Sequence, residues 1–125
     1  MAVTYNTVRE GAIELLLPSE CAIGKKRGPG KRIRGCVFYN PAMIFSRDIT
    51  VLLYASSLRQ FSTCRREKRL RVLDALAATG VRGLRMAKEI PLVNASIDME
   101  LHINDKNPDA FECIVRNIRH NDIEN

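Results

Sequence analysis

The sequence contains no C-x-x-C pair: its four cysteines, Cys21, Cys36, Cys64 and Cys113, stand apart, and its two histidines, His102 and His120, are not spaced as zinc ligands beside them. No metal site is therefore expected within the chain. The start, Met1-Ala2-Val3-Thr4-Tyr5, lacks a basic stretch ahead of an apolar core, so the cysteines read as reduced, largely buried thiols rather than as a disulfide framework. No run approaches the roughly 20 apolar residues of a membrane span. No membrane association is expected, and the cytoplasm is the default location. Internal repeats of solenoid period and compositionally biased stretches are also absent. What remains, 125 residues with 46% hydrophobic and 27% charged content, predicts one compact globular unit.

Charge is unevenly spread. Met1 to Arg71 holds 14 Lys/Arg against 5 Asp/Glu, whereas Val72 to Asn125 holds 6 against 9. A basic half points to a polyanionic partner, with nucleic acid or an anionic membrane as the ordinary candidates; the mildly acidic half is the place to look for a cofactor. Six cations, Lys25, Lys26, Arg27, Lys31, Arg32 and Arg34, crowd around Gly28-Pro29-Gly30. Such a loop suits contacts to backbone phosphates, which add sequence-independent, salt-sensitive affinity; a merely solvated loop is the alternative.

Along the chain, Ala12 to Leu17 and Cys36 to Tyr39 are short apolar strand candidates that could pair as a hairpin. Asn40-Pro41 predicts a cap and first-turn proline, with Ser46 and Asp48 as a later start. Phe45, Ile49, Leu52 and Leu53 share one helical face, predicting a helix to about Arg59 or Phe61. Leu70 to Leu76, broken only by Arg71 and Asp74, reads as a strand buried on both faces in a parallel sheet. Thr79 to Gly83 predicts a turn. Val81, Leu84 and Ala87 then share a helical face that Pro91 brings to an end, and a second strand spans about Met99 to Asn104. Asn107-Pro108-Asp109 opens the best-marked helix, with Phe111, Ile114, Val115 and Ile118 at core spacing.

Strand, glycine turn, helix, strand and acidic residue form the layout of a nucleoside-binding α/β site. Gly80 and Gly83 would give a ligand room to approach the backbone. Asp105 lies 22 residues after Gly83, close to the spacing of about 20 at which a carboxylate meets ribose hydroxyls. The dinucleotide fingerprint G-x-G-x-x-G is missing, which disfavours NAD. Asp74 before the turn would repel a phosphate and attract an amino or sulfonium group, pointing to S-adenosylmethionine. Plainer readings stand beside these: Asp74 holding the turn through backbone hydrogen bonds, and Asp105 as a strand-end turn residue.

Phe38-Tyr39-Asn40-Pro41, Ser46-Arg47-Asp48, the run Leu73 to Arg85 with its Thr79-Gly80-Val81-Arg82-Gly83 core, and Ile103-Asn104-Asp105 occur in this order. Together they closely resemble the tRNA (guanine-26 N2)-dimethyltransferase family, over roughly Glu10 to Asn121. The resemblance implies a Rossmann-like class I methyltransferase fold, truncated, with an N-terminal β-hairpin and helix extension over residues 1–68 and the first half of the S-adenosylmethionine-binding α/β domain over 69–125. It implies that Arg47 contacts the cofactor carboxylate, although Ser46 replaces the family's asparagine, with Asp48 pairing as the plainer role of Arg47. Arg82 would support the same site, Asp105 would hold the ribose, and Phe38 would line the pocket or simply fill core. The implied reaction is direct methyl transfer to a guanine amine of tRNA, with most of the catalysis in positioning and the target base unstacked first. The family's Asp-Pro-Phe motif lies downstream of Asn125, so no catalytic residue is assigned, a missing C-terminal half is the implied partner, and an open, apolar strand edge and poor solubility are expected. A non-enzymatic basic RNA-binding module and a dinucleotide-dependent oxidoreductase are the rival readings.

Overall fold

The computed structural model describes residues 4–21, 36–64, 69–93, 95 and 97–123. The architecture is mixed α/β. Strands β1 (Tyr5–Glu10) and β2 (Ile13–Pro18) form an antiparallel hairpin, Glu10 opposite Ile13 and Tyr5 opposite Pro18. A single 3-10 turn over Pro41–Met43 leads into helix α1 (Ile44–Cys64). Strand β3 (Arg69–Asp74), helix α2 (Val81–Val93) and strand β4 (Asp98–Ile103) make one parallel β-α-β unit, Arg69 opposite Asp98 and Asp74 opposite Ile103, and helix α3 (Pro108–His120) follows.

The hairpin is not the predicted one. Ile13 to Leu17 pairs with a strand the apolar pattern does not show, because β1 buries little and turns mostly polar residues to solvent. Residues 36–40 are irregular, yet Val37 and Tyr39 are buried, so their hydrophobicity reflects a covering segment rather than a ladder. A second correction concerns the thiols: Cys21 and Cys36 are joined in a disulfide with Cα atoms 5.4 Å apart, while Cys113 is free and buried.

The Asn40-Pro41 cap opens the 3-10 turn rather than α1 itself, the Asn40 side chain accepting from Ala42 N ahead of Pro41, and α1 continues from that turn at Ile44. Its orientation differs from the expected one. Phe45, Ile49, Leu52 and Leu53 are exposed, and the inward face carries Arg47, Val51, Ala55 and Leu58. The helix is apolar around much of its circumference, so periodicity alone does not choose a face. Polar bonds decide it: Arg47 and Asp48 are engaged by Glu10 and Arg85 respectively.

Strand β3 is covered on one side. Val72 packs with Val51, Leu58, Met86 and Ile90, whereas Leu73 points outward and is 65% exposed. Burial on both faces requires a layer on each, and among the described residues helices cover only the Val72 face; β3 there has β4 as its one paired neighbour. Helix α2 passes through Pro91 and ends at Val93, since a proline in the last turn removes an N–H near the helix end without breaking the earlier ladder. Helix α3 begins at the predicted cap, Asn107 accepting from Asp109 N, but its buried line is Ala110, Cys113, Ile114 and Asn117, with Phe111 exposed.

A second core, distinct from the Val72 cluster, joins Ile13, Leu15 and Leu17 of the hairpin to Val81 and Leu84 of α2 and Cys113 of α3. Helix α2 thus serves both cores. The free edge of β2 is closed by two asparagines one helical turn apart: Asn117 Oδ1 accepts from Leu16 N at 2.8 Å, and Asn121 bonds both the N–H and the carbonyl of Glu14. These amides stand in for a third strand.

Candidate cofactor site

The site forms where β3 ends. The chain leaves Asp74, turns through Ala77 to Gly80 and enters α2 at Val81, so Arg82 and Gly83 already belong to the first helical turn. Ala78 and Gly80 carry the positive φ values the bend requires, 50° and 79°. Two bonds lock it to β4, Asn104 N to Asp74 O and Ala77 N to Asn104 O. The glycines act differently from the expected clearance for a ligand. A Cβ on Gly80 would meet Ile114 of α3 at 3.3 Å, and one on Gly83 would meet Ile103 at 2.7 Å. Their bare Cα atoms let helix and strand pack closely.

Beside this bend lies a cleft of about 100 Å³. The structure brings Phe38, Arg47, Asp74 and Arg82 together there, with Tyr39 and Thr79. Phe38 is 62% exposed, so it is a rim residue and not core. Arg82 donates to Thr50 Oγ1 at 3.3 Å. Small-molecule pockets start near roughly 300 Å³; this cleft has room for one end of a larger ligand.

Two buried oxygens in the cleft wall lack partners among the described residues, Asp74 Oδ2 and Thr79 Oγ1, and Thr79 is wholly inaccessible. Burial raises the Asp74 pKa above the ordinary carboxylate value; the Gly83 N–H and the Arg82 charge oppose the rise, and Asp105 adds to it. Asp105 itself faces the bend from outside the cleft lining. Its Oδ2 accepts from Ala78 N and its Oδ1 from Asn107 N, both at 2.9 Å.

Arg47 is 4% exposed, and its partner is Glu10, not Asp48. Nε donates to Glu10 Oε1 at 2.6 Å and Nη2 to Oε2 at 2.8 Å, a bidentate fork, while Nη2 also reaches Asn40 O. Tyr39 donates to Glu10 Oε2 at 2.8 Å and sets its ring 5.3 Å from the Arg47 guanidinium carbon. Arg85 Nη1 contributes a longer bond to Oε1 and binds Asp48 at 2.6 Å, its Nε going to Glu89. Burial works to raise the Glu10 pKa, but Arg47, Tyr39 and Arg85 together hold it below the ordinary value. Burial and the facing Glu10 push the Tyr39 hydroxyl up to about 12. Sequence reasoning missed Glu10, Tyr39 and Thr79 as site residues. Thr79 was visible inside the glycine turn, but Glu10 is 37 residues from Arg47 and carries no local mark of the pairing.

The basic cluster Lys25, Lys26, Arg27, Lys31, Arg32 and Arg34 lies outside the described residues. Among those described, no group of three His, Cys, Asp or Glu could hold a metal ion, and no helix is long and apolar enough to cross a membrane.

Comparison with known proteins places the sequence in a family. The family model described as N2,N2-dimethylguanosine tRNA methyltransferase matches residues 27–125. The tRNA (guanine(26)-N(2))-dimethyltransferase of Methanocaldococcus jannaschii is 35% identical over 94% of this chain and 28% of its own length. Enzymes of the same name from Metallosphaera sedula and Methanosarcina acetivorans are 37% and 40% identical over 93% and 70% of the chain, and 26% and 21% of their own lengths. The chain thus spans about a quarter of the length of these relatives. No solved structure matches it. Sharing the family's sequence pattern across most of its residues, the chain belongs to the N2,N2-dimethylguanosine tRNA methyltransferase family.

Proposed function

We propose that this chain forms the S-adenosylmethionine-binding part of a tRNA guanine-26 N2-dimethyltransferase, with β3, α2, β4 and α3 as the first half of a Rossmann-like sheet. The observation that carries the reading is the pair of unpartnered buried oxygens, Asp74 Oδ2 and Thr79 Oγ1, in a cleft that also holds Arg47 and Arg82. An unsatisfied buried polar group costs about 1–3 kcal/mol, and a ligand carrying an ammonium and a carboxylate relieves it. The amino-acid end of S-adenosylmethionine has both groups. Asp74 would take the ammonium, and Arg47 and Arg82 would face the carboxylate. Asp105, each oxygen of which accepts one N–H, retains lone pairs for ribose hydroxyls.

The bound cofactor supplies a methyl group already activated by its sulfonium. This chain's residues would anchor and orient the donor, with the exposed Phe38 ring at the rim offering a stacking face to an unpaired base. The basic segment Lys25 to Arg34 would track tRNA phosphates, making tRNA affinity fall with salt. Calorimetric titration of the full-length protein tests the reading. S-Adenosylmethionine should bind, NAD should not, and Asp105→Ala should abolish or severely weaken the first. Retention of tRNA without cofactor binding would leave only an RNA-binding module.

A further inference from the structure

Arg47 lines the cleft, and the structure shows what aims it. A guanidinium recognises a carboxylate best through two parallel N–H donors, and in this structure the Nε and Nη2 edge is taken by Glu10, with the second Nη2 proton on Asn40 O. Nη1 is left without a partner among the described residues, on a side chain that lines the cleft beside Asp74. Glu10 is itself 3% exposed and saturated: four donors, Arg47 twice, Tyr39 and Arg85, converge on its two oxygens.

We propose that Glu10, at the end of the first hairpin strand, is a positioning residue for cofactor recognition: it clamps the inner edge of Arg47 so that Nη1 is presented to the carboxylate of the ligand's amino-acid end. This rests on the reading of the cleft as an S-adenosylmethionine site. The ion pairs support it. Arg85 has Asp48 and Glu89 as well as Glu10, so Glu10 is left mainly to Arg47, whose one ion-pair partner among the described residues it is. Arg47 is therefore held firmly by its inner edge, with Nη1 still able to donate to a ligand oxygen. The Tyr39 ring against the guanidinium and the Tyr39 hydroxyl on Glu10 add two more restraints on the same plane. The hairpin thereby becomes part of the binding apparatus, although Glu10 does not touch the cleft.

The test compares two ligands that differ in the amino-acid end: S-adenosylhomocysteine, which has it, and 5′-methylthioadenosine, which does not. In the full-length protein, Glu10→Gln keeps the shape of the side chain but replaces one acceptor with a donor facing donors. It should weaken S-adenosylhomocysteine roughly tenfold or more, the loss of one well-aimed charge-assisted hydrogen bond, and leave 5′-methylthioadenosine within about twofold, below the energy of any such bond. Tyr39→Phe, which spares the fork, should show a smaller loss with the same ligand selectivity. Equal weakening of both ligands, no change in either, or a Glu10→Gln protein without a cooperative melt would assign Glu10 to stability alone and overturn the proposal. Failure of the wild type to bind either ligand would instead remove the cofactor reading on which it rests.

Discussion

Replacing Asn117 with alanine should destabilise the protein far more than the same change one turn later at Asn121. Both asparagines face the open edge of β2 and make backbone-like hydrogen bonds to it, but they differ in access to water. Asn117 is fully buried, accepting from Leu16 N at 2.8 Å and donating to the Thr79 carbonyl at 3.1 Å. Its removal strands one part-buried donor and one buried acceptor, at about 1–3 kcal/mol each, so a loss of about 2–6 kcal/mol is expected. Asn121 is half-buried at the helix end, accepting from Glu14 N and donating to the Glu14 and Asn117 carbonyls. Water can reach those groups once the side chain is gone, and the expected loss is the net worth of exposed bonds, about 0.5–1.5 kcal/mol. Alanine gains up to about 0.7 kcal/mol of helix propensity at position 117 alone, since Asn121 caps α3 beyond its last residue, and a gap of about 2 kcal/mol set by burial remains. Urea unfolding with a common m-value measures it directly. Losses equal to within about 0.5 kcal/mol would refute the argument that burial, and not the hydrogen bonds as such, makes the Asn117 tie expensive to lose.

Asp74→Asn should stabilise the protein at neutral pH while weakening S-adenosylmethionine. Because burial raises its folded-state pKa, the native state holds the Asp74 proton more tightly than the unfolded chain, and the contribution of Asp74 to stability falls as pH rises from the ordinary carboxylate range through the raised value. Melting temperatures of the two proteins should therefore converge in acid and diverge toward neutrality; a variant less stable at neutral pH would mark Asp74 as a turn-holding residue. Gly83→Ala sets a helix-propensity gain of about 1 kcal/mol against a Cβ placed 2.7 Å from Ile103, an overpacking cost of about 1–3 kcal/mol. Net destabilisation is expected, and Ile103→Ala should couple favourably with it in a double-mutant cycle; independent, additive effects would show that the added methyl does not meet the Ile103 side chain.

Local chemistry made parts of the fold legible. Asn107-Pro108-Asp109 caps α3 as a proline after an Asx residue must, and the alternation of strand, bend and helix from β3 to β4 follows from an apolar run closed by Thr79-Gly80. Strand β1 was not legible because Tyr5 to Glu10 mostly faces water and owes its conformation to β2 across the ladder. The outward turn of Phe45 and Leu52 was hidden for a related reason. Where apolar residues surround a helix, its rotation is chosen by long-range polar bonds that periodicity does not register.

The candidate site divides along the same line. Phe38, Arg47, Asp74 and Arg82 could be named from motifs because each sits at the end of a locally marked element, and the fold brings those ends to one cleft. What aims them could not be read, since Glu10, Tyr39 and Asn117 act across separations of 29 to 101 residues. These residues also explain why the hairpin is part of the unit. Without Glu10 the buried Arg47 would be an uncompensated cation, and without Asn117 the Thr79 carbonyl, next to the bend, would lose its anchor to α3. The bend therefore takes its conformation from two sources, glycine and positive φ within it and the hairpin–α3 amides around it, and a ligand bound at Asp74 and Thr79 should protect the backbone of β2 as well as its own contacts.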